Sequence, residues 1–153
     1  MSWLSNRKLI EKVKYNGDLR TLQAFHGVYP IDKLPTFVPH LPILIIVNTH
    51  THNLEGEHWK TIFIDCDKSG EVFDSLALPM SYILIQWMNR FTRKWKTNPR
   101  SYQHRLSATC GAFALYFTLN RLYVNSLEDI TNTFSRSPAV NERSILAFYN
   151  RLK

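Results

Sequence analysis

The chain has 153 residues, 44% of them hydrophobic, with five glycines and no repeat or low-complexity tract, which is enough for one domain with a core of its own and argues against a fibrous or disordered class. The longest apolar run, Leu41 to Val47, is interrupted by Pro42 and falls far short of the roughly 20 residues of a membrane-crossing helix, while the N-terminal MSWLSNRKLIEKVKY lacks the apolar stretch of a secretory signal. The formal charge is +7, and the two cysteines, Cys66 and Cys110, are too few for a disulfide framework, so composition predicts a soluble protein of a reducing, intracellular compartment with no membrane partner.

In chain order, Ser5 stands where it would cap a first helix carrying Leu9, Ile10 and Val13 on one side and ended by Gly17. Residues 18–40 hold Gly27, Pro30, Pro35 and Pro39 and predict irregular structure. ILIIVNT (43–49) predicts a buried strand. Beyond the polar HTHNLEGE, the segments HWKTIFID (58–65) and EVFDSL (71–76) predict two further strands. CDKSG joins them as a hairpin turn with Gly70 at its end. MSYILIQWMNRF (80–91) predicts a helix with Pro79 near its start, and NPRSYQHR a loop leading into a short strand. CGAFALYFTLNRLY (110–123) is apolar almost all round, the pattern of a buried helix. SLEDITNTF (126–134), opening on Ser126, and VNERSILAFYNRL (140–152) predict two last helices. The sum is an α+β fold, a small central antiparallel or mixed sheet flanked by helices, as a single domain over residues 1–153.

Cys110 falls at the start of the buried helix, where the positive end of the helix dipole and unpaired backbone N–H groups favour a thiolate. Gly111 behind it lets a substrate or another backbone come close. A thiolate nucleophile needs a base and an oxyanion donor. His58 heads one strand of the hairpin. Asp74 lies on the other, across from residues near Lys60 or Ile62, with the parity that shares the His58 face. Such an acid fixes the imidazole tautomer and stabilises imidazolium. Gln103, seven residues before Cys110, is a candidate amide donor beside the Cys110 backbone N–H. Each residue has an ordinary reading when taken singly: a packed core thiol, a strand-edge histidine, a turn aspartate, a solvent-facing glutamine. A metal reading also exists, because His50, His52, Glu55, Glu57, His58 and Cys66 crowd a short segment. That loop lacks a regular ligand frame, and no metal is expected.

The stretch NRFTRKWKTNPRSYQHR contains Arg90, Arg93, Lys94, Lys96, Arg100 and Arg105 without one acidic residue, and interleaves Phe91, Trp95 and Tyr102. It reads equally as a non-specific DNA-binding stripe with stacking aromatics and as a solvated face.

The order His58-Trp59, Asp74, Gln103, Cys110-Gly111, with IVNT (46–49), VFDSLA (72–77) and SATCGAF (107–113), resembles the adenain family of adenovirus-type cysteine peptidases and their relatives in large DNA transposons and viruses. More distantly it resembles the Ulp-type SUMO-specific proteases. FHGVYP (25–30) and RSILAFYNRL (143–152) match the segment ahead of the first strand and the closing helix of that family. The resemblance implies a cysteine endopeptidase that processes virion precursor proteins at Gly-containing sites. It implies Cys110 as nucleophile, His58 as base, Asp74 as the orienting acid and Gln103 as the oxyanion donor. Trp59 and Gly111 would border the substrate, with Trp59 walling the cleft. It also implies a monomer in the virion and in the host nucleus or cytoplasm. No cofactor is required for the chemistry; DNA or a peptide is the implied activator. Residues 92–103 hold no cysteine, so a disulfide-linked peptide finds no anchor there. Two alternatives share these features: a deubiquitinase-like or deSUMOylase-like isopeptidase, and a non-enzymatic DNA-binding virion component.

Overall fold

The computed structural model describes residues 4–49, 58–123 and 126–153. Among them, five strands form one sheet whose spatial order is the chain order: β1 (Phe25–Pro30), β2 (Ile43–Asn48), β3 (Trp59–Ile64), β4 (Ser69–Phe73) and β5 (Lys94–Thr97). The sheet is mixed. β1 and β5 run parallel to β2 and β4 respectively, while β2–β3 and β3–β4 are antiparallel. The helices are α1 (Asn6–Asn16), α2 (Leu19–Ala24), α3 (Tyr82–Phe91), α4 (Cys110–Asn120), α5 (Leu127–Thr131) and α6 (Pro138–Arg151).

β2 is buried along its whole length, so both faces of the sheet are covered. On one face Ile43, Ile45, Val47, Ile62 and Val72 pack with Leu84, Trp87 and Met88 of α3. On the other, Leu44, Phe63 and Phe73 meet Phe113 and Phe117 of α4. α4 is itself enclosed by α1 and α6, which explains its apolar character on every side: it has no solvent face to make polar.

The α+β expectation holds, with three corrections. Residues 18–40 are not irregular throughout. The Asp18 carboxylate accepts the Thr21 N–H at 2.8 Å and starts α2, and Phe25–Pro30 becomes β1 by pairing with β2. The short strand expected after NPRSYQHR lies before it, as β5. Gly70 is paired with Ile64 in the ladder, while the left-handed turn position is Lys68 (φ 66°). Gly70 is needed for space, since a Cβ there would approach Met88 Cε and Thr92 Cγ2 to 2.8 Å.

Candidate active site

His58 sits immediately before β3. The β3–β4 ladder pairs Ile62 with Val72 and Thr61 with Phe73, and its continuation sets Lys60 opposite Asp74, on the face that His58 shares. The side chains meet there: His58 Nε2 lies 2.7 Å from Asp74 Oδ1, and both residues are buried (8% and 1% exposed). The carboxylate has three further partners, two hydrogen-bond donors and one ion pair. Oδ1 also accepts the Leu76 N–H at 2.9 Å, and Oδ2 accepts the Leu78 N–H at 3.0 Å and faces Lys60 Nζ at 3.3 Å. The Asp74 backbone is clasped by buried Asn98, whose Oδ1 accepts the Asp74 N–H at 2.8 Å and whose Nδ2 donates to the Asp74 carbonyl at 2.7 Å.

Cys110 is the first residue of α4 and is 2% exposed. Thr109, which precedes it, offers the helix no side-chain cap, and its hydroxyl donates instead to Glu142 at 2.9 Å. The first-turn N–H groups of a helix point away from its own carbonyls, and at this helix start the Thr109 side chain does not cap them. Gln103 is buried four residues before Ser107: its Nε2 donates to Ser107 O at 2.9 Å, while its Oε1 accepts the Ser75 hydroxyl at 2.5 Å. Ser75 O in turn accepts the Tyr102 and Gln103 N–H groups at 2.8 and 3.1 Å. The loop after β5 is thus fastened to Asp74 through Asn98 and to Ser75 through Gln103.

Burial by itself pushes the His58 imidazole down, because it disfavours the charged ring. The hydrogen bond to Asp74, then Cys110, then the charges of both more than offset it and raise His58 to about 9. Burial pushes Asp74 up, but His58, Lys60 and the Leu76 N–H outweigh it and hold the carboxyl below its ordinary value. His58 Nδ1 is buried and makes no hydrogen bond of ordinary geometry. Cys110 is the ring's other neighbour and, with Asp74, is a cause of its raised proton affinity.

The structure therefore brings His58, Asp74 and Cys110 together and anchors Gln103 beside the same turn. The side-chain faces of Trp59 and Gly111 are taken up by packing. Trp59 is 1% exposed and donates from Nε1 to Asn6 Oδ1 at 2.8 Å, so it packs under α1 and walls no cleft. Gly111 is required by that packing, since a Cβ would come within 2.6 Å of Leu4 Cδ1 and 3.3 Å of Trp59 Cε3. The basic stretch is corrected in its aromatics. Arg90, Arg93, Lys94, Lys96, Arg100 and Arg105 are exposed, but Tyr102 is buried and Phe91 and Trp95 pack against the core. Lys96 already pairs with Glu128 at 2.6 Å, and the Arg100 guanidinium lies over the Tyr102 ring. Of the metal candidates, His50, His52, Glu55 and Glu57 lie outside the described residues. Among the described ones no group of three or more acids, histidines or cysteines is placed to hold a metal ion, and Cys66 is exposed in the hairpin turn.

Lys60, Ser75 and Asn98 belong to the site and were not anticipated in those roles. For Lys60 the signal was present in His58-x-Lys60, the spacing of residues on one face of a strand. Ser75 and Asn98 carry no local signal, because each acts through a partner more than twenty residues away.

No protein-family model and no curated protein sequence matches the chain. Among solved structures, two of the ASFV pS273R protease superpose on it. One has 22% identity and a TM-score of 0.50 over 71% of this chain and 44% of that one. The other has 19% identity and a TM-score of 0.52 over 78% and 57%. The chain has the fold of that protease. It spans about half the length of those two protease structures. The central domain of Lpg1148 from Legionella pneumophila is similar over 96% of this chain and 99% of its own, at 10% identity and a TM-score of 0.50.

Proposed function

We propose that the protein is a cysteine endopeptidase in which Cys110 is the nucleophile, His58 the general base and acid, Asp74 the orienting acid and Gln103 an oxyanion donor. One observation carries the reading. A buried histidine has one ring nitrogen committed to a buried carboxylate, the other free of any ordinary hydrogen bond, and a helix-initial cysteine as its remaining partner.

The geometry supports the following steps. With Nε2–H donated to Asp74, Nδ1 is the nitrogen that takes the Cys110 proton. The thiolate sulfur attacks the peptide carbonyl carbon, and the carbonyl π electrons move onto oxygen. The backbone N–H groups at the start of α4, and the Gln103 amide once it is released from the Ser107 carbonyl, are the proposed donors for the resulting oxyanion. His58 returns its proton to the leaving amine, and the C–N bond breaks to a thioester. Water, deprotonated by His58, then attacks the thioester and releases the acid and the Cys110 sulfur. Asp74 holds the tautomer throughout and does not itself accept the proton.

The substrates we propose are precursor proteins of a virus or virus-like transposon, cut next to glycine, with the enzyme working as a monomer in the virion or in the infected cell. The near-complete burial of Cys110 favours small residues at the bond, since a large side chain would have to displace the packing around it. DNA is proposed as a non-specific partner of the six exposed cations between Arg90 and Arg105. The test is incubation of the purified protein, with and without DNA, with peptides containing Gly-Gly or Gly-x-Gly. Cleavage that is lost in Cys110→Ala supports the reading. Cleavage that persists in Cys110→Ala, or none under any condition, overturns it.

A further inference from the structure

Lys60 is a charged residue for which the proposed steps have no use, yet it is buried (4% exposed) in the middle of the site. An ammonium taken out of water is kept only where a partner compensates for its lost hydration. Its partner is Asp74 Oδ2, at 3.3 Å. We infer that Lys60 is a positioning residue of this site, which locks the Asp74 carboxylate in the orientation that serves His58 and keeps the buried charge of the site balanced through the reaction. The inference rests on the reading of His58 and Asp74 as a catalytic pair.

Orientation comes first. A carboxylate offers about four lone-pair positions. Here Oδ1 serves His58 and the Leu76 N–H, while Oδ2 serves Lys60 and the Leu78 N–H. Three hydrogen bonds and one ion pair hold the carboxylate, and each oxygen has one backbone and one cationic partner. A swing of the carboxylate that took Oδ1 off the imidazole would break the Lys60 contact as well. Leu76 and Leu78 belong to the turn that follows Asp74, whereas Lys60 comes from the neighbouring strand. It therefore ties the acid to the strand that carries His58.

Charge gives the second argument. Before attack the buried groups are Lys60 (+), Asp74 (−), imidazolium His58 (+) and thiolate Cys110 (−), which sum to zero. After the proton has gone to the leaving amine, His58 and the thioester are neutral, and Lys60 and Asp74 again sum to zero. Without Lys60 the same states each bury one net negative charge, in a place where few water molecules can screen it. The hollow beside His58 and Lys60 adds no titratable group to this balance: its other walls are Ile31, Thr49, Leu78, Pro79, Ser81 and Leu84.

Removal of the cation leaves the whole of the Asp74 charge to His58, which favours imidazolium. The test is an NMR titration of the His58 imidazole, assigned with His58→Gln, in the wild type, Lys60→Met and Lys60→Arg. The expected result is a His58 midpoint roughly half a unit or more higher in Lys60→Met, with Lys60→Arg near the wild type. The alkaline limb of kcat/KM should move by the same amount. Lys60→Gln keeps a donor and loses the charge, and it takes the place of Lys60→Met if that variant does not fold. An unchanged or lowered midpoint in the charge-free variant overturns the inference, even if turnover falls, because loss of packing alone lowers kcat without moving the titration upward. The NMR arm needs no turnover. A protein that cuts no peptide but shows the shift would refute the peptidase and leave the Lys60 coupling standing.

Discussion

At His58 two effects of opposite sign meet, and their balance has a measurable consequence. Burial opposes the charged ring, but Asp74 and Cys110 win and raise it to about 9 from the ordinary 6.5. A group whose proton affinity rises on folding stabilises the fold fully below its unfolded value, and that contribution fades as pH climbs through the folded one. Urea unfolding should therefore show the wild type losing about 1–3 kcal/mol relative to His58→Gln between the ordinary histidine range and pH about 9. Asp74 is shifted the other way. Its contribution is present above the ordinary carboxylate value of 3.8 and is lost as pH falls through its lower, folded value. Cleavage itself should decline above pH about 9, where His58 no longer carries the proton that the leaving amine needs. Cys110→Ala should abolish turnover and leave the fold intact, since it removes one sulfur atom from a helix start. Cys66→Ala, a change at an exposed turn, should be active. Assay of both variants, with circular dichroism as the control for folding, checks the pair. Gln103→Ala should lower kcat about a hundred-fold, the scale of one oxyanion donor; unchanged kcat would remove it from the site.

Helix α4 carries two requirements at once, a nucleophile at its first residue and a buried contact at its second. Gly111 lets Trp59 and Leu4 close over the helix start. Gly111→Ala forces Leu4 aside and presses on the Trp59 ring, at an expected loss of about 1–3 kcal/mol. Leu4 is the flexible partner, so in a Leu4→Ala background the loss should shrink; a double-mutant cycle from thermal unfolding measures it. Just past its C-terminal end the helix is tied to β4 by a buried ion pair. Arg121 Nε donates to Glu71 Oε1 at 2.6 Å and a second guanidinium nitrogen to Oε2 at 3.0 Å, with the guanidinium 4.1 Å from the Phe63 ring centroid. Glu71→Gln should reduce stability by about 3–5 kcal/mol, because it leaves a buried cation uncompensated. Glu71→Met with Arg121→Met should recover much of that loss, since neither charge then remains to be compensated.

For the molecule as a whole, the +7 charge is the property that acts at a distance. The cations from Arg90 to Arg105 are exposed, but they are distributed over the end of α3, β5 and the loop beyond, and the interleaved aromatics are turned inward. Binding to DNA should accordingly rest on phosphate contacts, without base stacking. Affinity should fall steeply with salt and be indifferent to sequence. Replacement of Arg93, Lys94 and Lys96 by Ala should flatten the salt slope by roughly one unit per lost phosphate contact, and Lys96 should contribute least because Glu128 already neutralises it. Fluorescence anisotropy at several salt concentrations reads this directly. Salt-insensitive or absent binding would leave the charge as a solubility feature.

What the sequence by itself determined were the features encoded locally. The Ser5 side chain and Gly17 delimit α1, the all-round apolar run specifies α4, and β2, β3 and β4 follow from β-branched runs separated by turn residues. The length of the hairpin turn was enough to bring Asp74 to the face of His58, because strand parity propagates from the turn. Only the tertiary structure decided the rest. FHGVYP has the residues of a loop and is a strand because β2 supplies its hydrogen-bond partners, and KWKT is a strand because β4 does. Trp59 was read as a cleft wall and is sealed by α1, a contact across more than fifty residues of chain. Lys60 shares the His58 face by strand parity, but its charge by itself reads as that of a surface residue. Its burial against Asp74 exists only after two strands have paired and a third element has covered them, since the free energy that keeps an ammonium out of water is supplied by a carboxylate distant in sequence.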